Sequence, residues 1–337
     1  MVAVVRTGDF EDPEATGLRR SLEIITYDGA RHPVYSVALE DESGYYPGDF
    51  VLLDWRPEMR TALLRVARGG PVPDLAVSYD VTTGATRKVV LPRRAISVAL
   101  DPSGAGLLMT AYAHGPLGRI AALGWDGGRT ALPGSAGSSA ITSVDGRTLV
   151  SPAGDRRRWW VIDLQTRDGT SFGTPGSCAP IRWLDDDSVL ASCYRRDGNQ
   201  LTSIDLDGTS TPVGNRHRID HGRGTVFTDG DVREVGGRSW FQAFSGCGTG
   251  VLTEQSLSGE VRFVTVPVLA GLLAVVDTRG DRLVVAGGSD VCTGARAAEV
   301  IELFDPVTGA ESVLTRLGEG EAWTQVVAAT EVRAWSP

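Results

Sequence analysis

The sequence predicts an all-β fold, a seven-bladed β-propeller of four-stranded antiparallel blades, and three observations predict it. A hairpin motif recurs along the whole chain, its copies are spaced as blades are spaced, and the two ends together supply one further blade. The motif is a short apolar strand, often ending in Asp, then a turn containing Gly, then a polar or β-branched strand. Its turn glycines are Gly29, Gly84, Gly127, Gly169, Gly208, Gly259 and Gly309. Their separations of 55, 43, 42, 39, 51 and 50 residues fall in the range of a four-stranded blade. With 42 glycines and 17 prolines among 337 residues, the chain is punctuated often enough for many short strands joined by turns.

The elements follow in chain order. Residues 1–17 read as a flexible N-terminal tail or linker, because the apolar run MVAVV stops at Arg6 and acidic residues and Pro13 follow it. Residues 18–337 read as a single propeller domain. The third and fourth strands of successive blades are EIITYDGARHPVY, AVSYDVTTGATRKVVLP, IAALGWDGGRTALP, WVIDLQTRDGTSFG, LTSIDLDGTSTPVG, LTEQSLSGEVRFVTVP and IELFDPVTGAESVLT. A second motif precedes most copies and supplies first and second strands: VALDPSGAGLLMTA, AITSVDGRTLVSP, IRWLDDDSVLASC and LAVVDTRGDRLVVAG. Runs of four to eight apolar or alternating residues suit strands that face neighbouring blades. EMRTALLRVA has a weak helical pattern but falls in a strand slot. The 28 residues beyond Gly309 and the 29 residues up to Gly29 make about one more period. WTQVVAATEVRAW then supplies inner strands and SLEIITYDGARHPVYSVAL outer strands of one shared blade, which removes the open sheet edge. The alternative is two small β domains meeting near residue 175, which no linker-like run supports.

The hairpins S-V-D-G-R-T-L at 143–149 and D-P-S-G at 101–104, each leading into a strand and a D-L-x-T/D-x-G-type turn, resemble the TolB-like or WD40-like propeller repeats of bacteria. The family pattern S-P-D-G-x-x-L is kept in only some blades, and the His and Trp-Asp signature of eukaryotic WD40 blades is missing. Asp126 follows Trp125 inside a Gly turn, which is a chance match. The resemblance spans the chain beyond about residue 18 and implies a fold, not an activity.

Four cysteines bear on the compartment. Cys178 and Cys193 lie equally far from the centre of one hairpin, CAPIRWLDDDSVLASC, so they face each other across an antiparallel pair. Cys247 and Cys292 sit in corresponding loops of successive blades. Two disulfides, Cys178–Cys193 and Cys247–Cys292, are expected, the alternative being four unrelated buried thiols. No C-x-x-C spacing points to zinc. Disulfides imply an oxidising compartment, so the expected location is extracellular or cell-envelope with any targeting or anchoring segment outside this sequence; a cytoplasmic location is the alternative. No run of about 18 apolar residues spans a membrane.

Composition and motifs narrow the function. Thirty-three Lys and Arg against 42 Asp and Glu give a net charge of −9, which leaves no net positive field for nucleic acid. Lys88 is the only lysine. There is no Walker loop, nucleophile elbow, H-E-x-x-H or EF-hand, so no cofactor, metal or catalytic residue is assigned. His217 and His221 would be about 13 Å apart on an extended segment, too far for one ion. Asp185, Asp186 and Asp187 suit a hairpin turn, and Trp159, Trp160, Trp183, Trp240 and Trp323 suit packing between blades. The expected function is non-catalytic binding of a protein, peptide or glycan; the alternative is a hydrolase or lyase at the mouth of the central channel. The loops of one face are long, and Tyr45, Tyr46, Arg93, Arg94, His114, His217, His221, Arg296 and Glu321 on them are the expected ligand-binding residues, being rich in aromatic and Arg groups.

Thiol titration of the denatured, unreduced protein checks the cysteine reading. No free thiol is expected, and four would overturn both pairings and the inference about compartment.

Overall fold

The apolar–turn–apolar repeats fold as antiparallel hairpins, and in a computed structural model of the chain the hairpins join into seven four-stranded sheets. The structure describes residues 1–8, 17–39, 48–69, 71–93, 95–112, 118–136, 140–143, 145–153, 156–195, 198–213, 233–244, 250–255, 261–264, 266, 273–287 and 300–329. Blade 2 holds β4 (Phe50–Arg56), β5 (Thr61–Val66), β6 (Leu75–Asp80) and β7 (Thr86–Val90). Blade 3 holds β8 (Ala95–Leu100), β9 (Gly106–Tyr112), β10 (Gly118–Gly124) and β11 (Arg129–Ala136). Strands β12–β15, β16–β19, β20–β23 and β24–β27 form blades 4 to 7 in the same sequential order, beginning at Ile141, Ser177, Arg233 and Leu273; among them are β16 (Ser177–Trp183) and β17 (Ser188–Arg195) in blade 5 and β26 (Val300–Phe304) and β27 (Glu311–Arg316) in blade 7. EMRTALLRVA is β5 with the turn before it, as its slot required.

Blade 1 closes the ring, in the order β28 (Glu321–Val327), β1 (Val2–Thr7), β2 (Arg19–Ile25) and β3 (Arg31–Ala38). This corrects the expected tail in its first part. Val2 to Val5 are fully buried, and β1 pairs with β2 on one side and β28 on the other. Five apolar residues at the start of the chain are enough for a strand. The C-terminus accordingly supplies one strand of the shared blade and the N-terminus three. Residues 9–16 of the expected tail lie outside the described residues.

The turns owe their shape to Asp. Asp80 Oδ1 accepts from the Thr82 and Thr83 amides at 2.8 and 3.0 Å, and Asp163 and Asp305 repeat the pattern in blades 4 and 7. These bonds to the charged form hold the three carboxyls below their ordinary pKa. Gly29 has φ +87°, and a Cβ there would meet the Leu314 carbonyl oxygen at 1.8 Å, so the turn of blade 1 reaches blade 7 only because that position is glycine.

Apolar faces fill the spaces between blades. Trp159 and Trp240 are almost wholly buried there, as the sequence expected. Polar side chains pin the inner strands across the same spaces. Gln325 donates to the Leu52 carbonyl at 2.9 Å and accepts from its amide at 2.6 Å, joining blade 1 to blade 2. Asp54 accepts from the Leu100 amide at 2.8 Å while Arg56 donates to its carbonyl at 3.3 Å, joining blade 2 to blade 3. Arg233 donates to the Val276 carbonyl at 2.7 Å, and the Tyr27 hydroxyl donates to Asp277. Desolvation and that carboxylate push the Tyr27 hydroxyl up to about 12.

Cys178 and Cys193 are paired in register on β16 and β17 and form a disulfide, with Cα atoms 4.0 Å apart. The Cys178 amide donates away from its partner, to the Arg156 carbonyl of blade 4, as a non-hydrogen-bonded antiparallel site requires. Cys247 and Cys292 lie outside the described residues.

Among the described residues, one fully buried carboxylate has neither oxygen satisfied. Glu302 on β26 is fully buried and neither oxygen has a hydrogen-bond partner. Desolvation, and then the Glu311 carboxylate on β27, raise its pKa from 4.5 to about 7, with Arg316 opposing. A raised folded-state pKa means that the folded protein holds the proton more tightly than the unfolded chain. The stabilisation is present below pH 4.5 and is lost as pH rises to about 7. Glu302→Gln should therefore flatten the decline in denaturation midpoint across this window and raise the midpoint at pH 8. An unchanged pH profile would contradict the assignment.

Candidate functional site

Blade 2 ends in a strand with little apolar demand. In Thr86-Arg87-Lys88-Val89-Val90 only Val89 is buried, against the core it shares with blade 3. Leu91 follows, its amide still bonded to the Asp74 carbonyl, and then Pro92, which cannot continue a hydrogen-bonded strand. β7 is thus a short outer strand whose far edge pairs with no strand among the described residues, and a groove runs along that edge.

Two adjoining hollows of about 530 and 340 Å³ make the groove and share Pro73, Leu91, Pro92 and Arg93. One wall is the segment Pro71–Asp74, where two prolines hold the chain extended around Val72. The Arg93 guanidinium donates to the Pro71 carbonyl at 2.8 Å, tying that segment to the β7–β8 connection. The other wall is the β10–β11 turn, Trp125 to Arg129. Trp125 is anchored by its indole N–H, which donates to the Gly104 carbonyl at 3.1 Å. The groove therefore begins among the long loops and runs down the outer wall between blades 2 and 3.

Its electrostatics oppose those of the whole chain. Arg65, Lys88, Arg93 and Arg129 line it against the carboxylates of Asp74 and Asp126. Among the described residues no ion pair engages any of the four cations. Arg65 donates to the Ala95 carbonyl at 3.2 Å, which leaves its charge uncompensated. Exposed apolar surface adjoins these charges, with Val90 at 48% and Val72 at 40% exposure. Among the described residues no His, Cys, Ser or Thr is in the lining, and the cations and exposed valines there suit an anionic, partly apolar ligand.

Of the expected ligand-binding residues, Arg93 lies in this groove. Tyr45, Tyr46, Arg94, His114, His217, His221 and Arg296 lie outside the described residues. Glu321 is held in an intramolecular ion-pair network. It starts β28 and is paired with Arg31 at 2.7 Å, while Arg31 also grips Glu23 at 2.7 Å, and Glu321 accepts from the Gly318 amide at 2.8 Å. The network is tertiary, since Arg31 and Glu321 are 290 residues apart in sequence. Sequence reasoning missed Arg65, Lys88, Trp125 and Arg129. The signal that could have found the groove is Lys88, the one lysine, in a strand whose other residues are mostly polar.

A smaller hollow of about 280 Å³ lies between the first turns of blades 4 and 5, among Ser143, Asp145, Trp183, Asp185 and Asp186. Asp185 accepts from the Asp187 amide at 2.9 Å, the turn role expected of it. Asp145 accepts from Ser143 Oγ at 2.6 Å and from the Arg147 amide at 3.0 Å. Among the described residues no group of three or more His, Cys, Asp or Glu is placed to hold a metal ion, and no helix is long and apolar enough to cross a membrane.

No family model matches the sequence, and no curated protein matches it. Solved structures do match in fold. The acylaminoacyl peptidase of Pyrococcus horikoshii aligns with 94% of this chain at 14% identity and a TM-score of 0.55. This chain spans 50% of that protein's length. A putative TolB from Agrobacterium tumefaciens aligns over 97% of this chain and 100% of its own, at 13% identity and a TM-score of 0.45. An oligogalacturonate lyase in complex with manganese aligns over 79% and 78% of the two chains, at 15% identity and a TM-score of 0.48. At these identities the likeness is one of fold.

The Arg31 pair makes Glu321 a stability residue. Two hydrogen bonds from that guanidinium hold the Glu321 carboxyl below its ordinary value. A depressed folded-state pKa contributes stability above the unfolded value of 4.5 and loses it as pH falls. Glu321→Gln should lower stability at pH 7 by about 1–2 kcal/mol, with a smaller loss at pH 3.5, and leave ligand retention unchanged. Equal losses at both pH values would contradict the role.

Proposed function

We propose that this chain is a non-catalytic, exported or cell-envelope propeller that binds a protein, peptide or glycan, with the groove along β7 as its recognition site. The observation that carries the reading is four cations, without carboxylate partners among the described residues, converging beside exposed valines and an anchored Trp. Uncompensated Arg and Lys side chains are solvated in the free protein and gain most from an anionic ligand that brings its own carboxylates or sulfates. The walls come from two blades whose separation the core fixes, so the groove loses little entropy on binding. The Cys178–Cys193 disulfide supports the exported location, since such bonds persist in oxidising compartments.

An array of immobilised peptides and glycans of graded negative charge tests the proposal. The native protein should retain anionic members, more weakly at high salt. A Lys88→Gln, Arg93→Gln, Arg129→Gln variant should lose at least about tenfold in affinity while its melting temperature moves by no more than about 2 °C. No retention on any member, or an unaffected variant, would overturn the reading.

A further inference from the structure

The backbone of β7 narrows the ligand class. In an antiparallel pair, residues alternate between sites that bond to the partner strand and sites that point away from it. The Asp80 amide donates to the Ala85 carbonyl at 3.0 Å, and the Leu91 amide to the Asp74 carbonyl at 2.9 Å. Residues 75–79 pair with 90–86 in unbroken register between those two bonds. Ala85, Arg87, Val89 and Leu91 therefore direct their backbone groups into the sheet. Lys88 and Val90 direct theirs outward, and no strand of the described structure pairs with that edge.

The outward edge and the groove coincide. The larger hollow is lined by four consecutive residues, Lys88 to Leu91. Neighbouring side chains of a strand point to opposite faces, so a space that touches all four lies against the strand's edge. The N–H and C=O groups of Lys88 and Val90, about 7 Å apart, open into it.

We infer that the groove receives an extended acidic peptide segment of a partner protein, which adds to blade 2 as a fifth strand along β7. The inference rests on the proposed binding function and assigns its ligand class. Main-chain bonds to Lys88 and Val90 provide register, the mode by which sheet edges capture extended peptides. Val90, Val72 and the three prolines take aliphatic side chains, while Lys88, Arg93 and Arg129 take carboxylates. A glycan is the poorer fit, because the lining lacks the neutral hydroxyl and amide side chains that would bond sugar hydroxyls and offers paired backbone groups at strand spacing instead. A second copy's β7 is disfavoured as occupant, because Lys88 would then face Lys88; a cation on an exposed edge discourages self-pairing while favouring an acidic strand.

The test uses a fluorescein-labelled peptide of sequence Glu-Glu-Val-Val-Glu-Glu, which offers both carboxylate and aliphatic side chains on each face of an extended strand, and two derivatives, N-methylated at the odd or at the even positions. Only alternate residues of an added strand direct their N–H groups at β7. One derivative should lose at least about tenfold in affinity and the other should bind as the parent does. Val90→Pro removes an amide that bonds nothing within the sheet, a position at which an edge strand tolerates proline. It should likewise lose about tenfold in peptide affinity with a melting temperature within about 2 °C of native. Equal binding of both derivatives would overturn strand addition and leave the basic groove as a binding site. Failure of the peptide alongside retention of a polyanionic glycan would also overturn the inference without touching that reading. Failure of every array member would overturn both. Because the methylation resides on the peptide, the result does not depend on how well Val90→Pro folds.

Discussion

The pairing of β1 with β28 is the interaction on which the rest of the structure depends. A four-stranded blade has two apolar faces and cannot bury either of them alone. It buries them against its neighbours, and the sequence is complete only when the first neighbour meets the last. Six registered pairs between Val2–Thr7 and Glu321–Val327 bring the two ends of the chain into one sheet. Val2, Ala3, Val4 and Val5 become fully buried as a result, and the interfaces of blade 1 with blades 2 and 7 form on its two sides.

Within that closed ring the polar pins choose among registers that apolar packing alone would tolerate. Leu and Val side chains slide with little penalty, whereas an amide such as Gln325, bonded to both backbone groups of Leu52, accepts one alignment. Asp54 and Arg56 are almost fully buried at the next interface. Each compensates the other and both reach Leu100, so the desolvation of one is offset by its partner and by the backbone of blade 3. Glu302 shows what the same environment does to a carboxylate with no such partner: it keeps its proton to about neutral pH. Polar residues at these interfaces thus specify alignment where they are satisfied and sensitise the fold to pH where they are not.

The groove follows from the same geometry. Each blade's outer strand has an edge on the periphery that ring closure does not cover, so whatever chemistry it carries is offered to solvent. In blade 2 that edge is flanked by a proline-stiffened segment on one side and by a turn of blade 3 on the other. A strand edge that would otherwise be flat becomes the floor of a cleft. The shared core of blades 2 and 3, which takes in Val89, Leu91 and Trp125, fixes the distance between the walls. Lys88, Arg93 and Arg129 therefore stand together along that cleft.

What the sequence determined by itself is local. The Asp/Gly turns, the strand alternation and their spacing encode hairpins, and hairpins at that period encode blades; Cys178 and Cys193 could be paired because both lie on one hairpin. Tertiary structure decided what depends on residues far apart in the chain. β1 is a strand because β2 and β28 flank it, although its five apolar residues read alone as the start of a tail. Glu321 pairs with Arg31, 290 residues away, a partner that no local pattern names. Arg65, Lys88, Arg93 and Arg129 become one site because adjacent blades bring four separate strands and connections together. Short-range periodicity is written in the residues themselves, but which side chains meet across an interface is set by the ring's closure, and no local pattern records it.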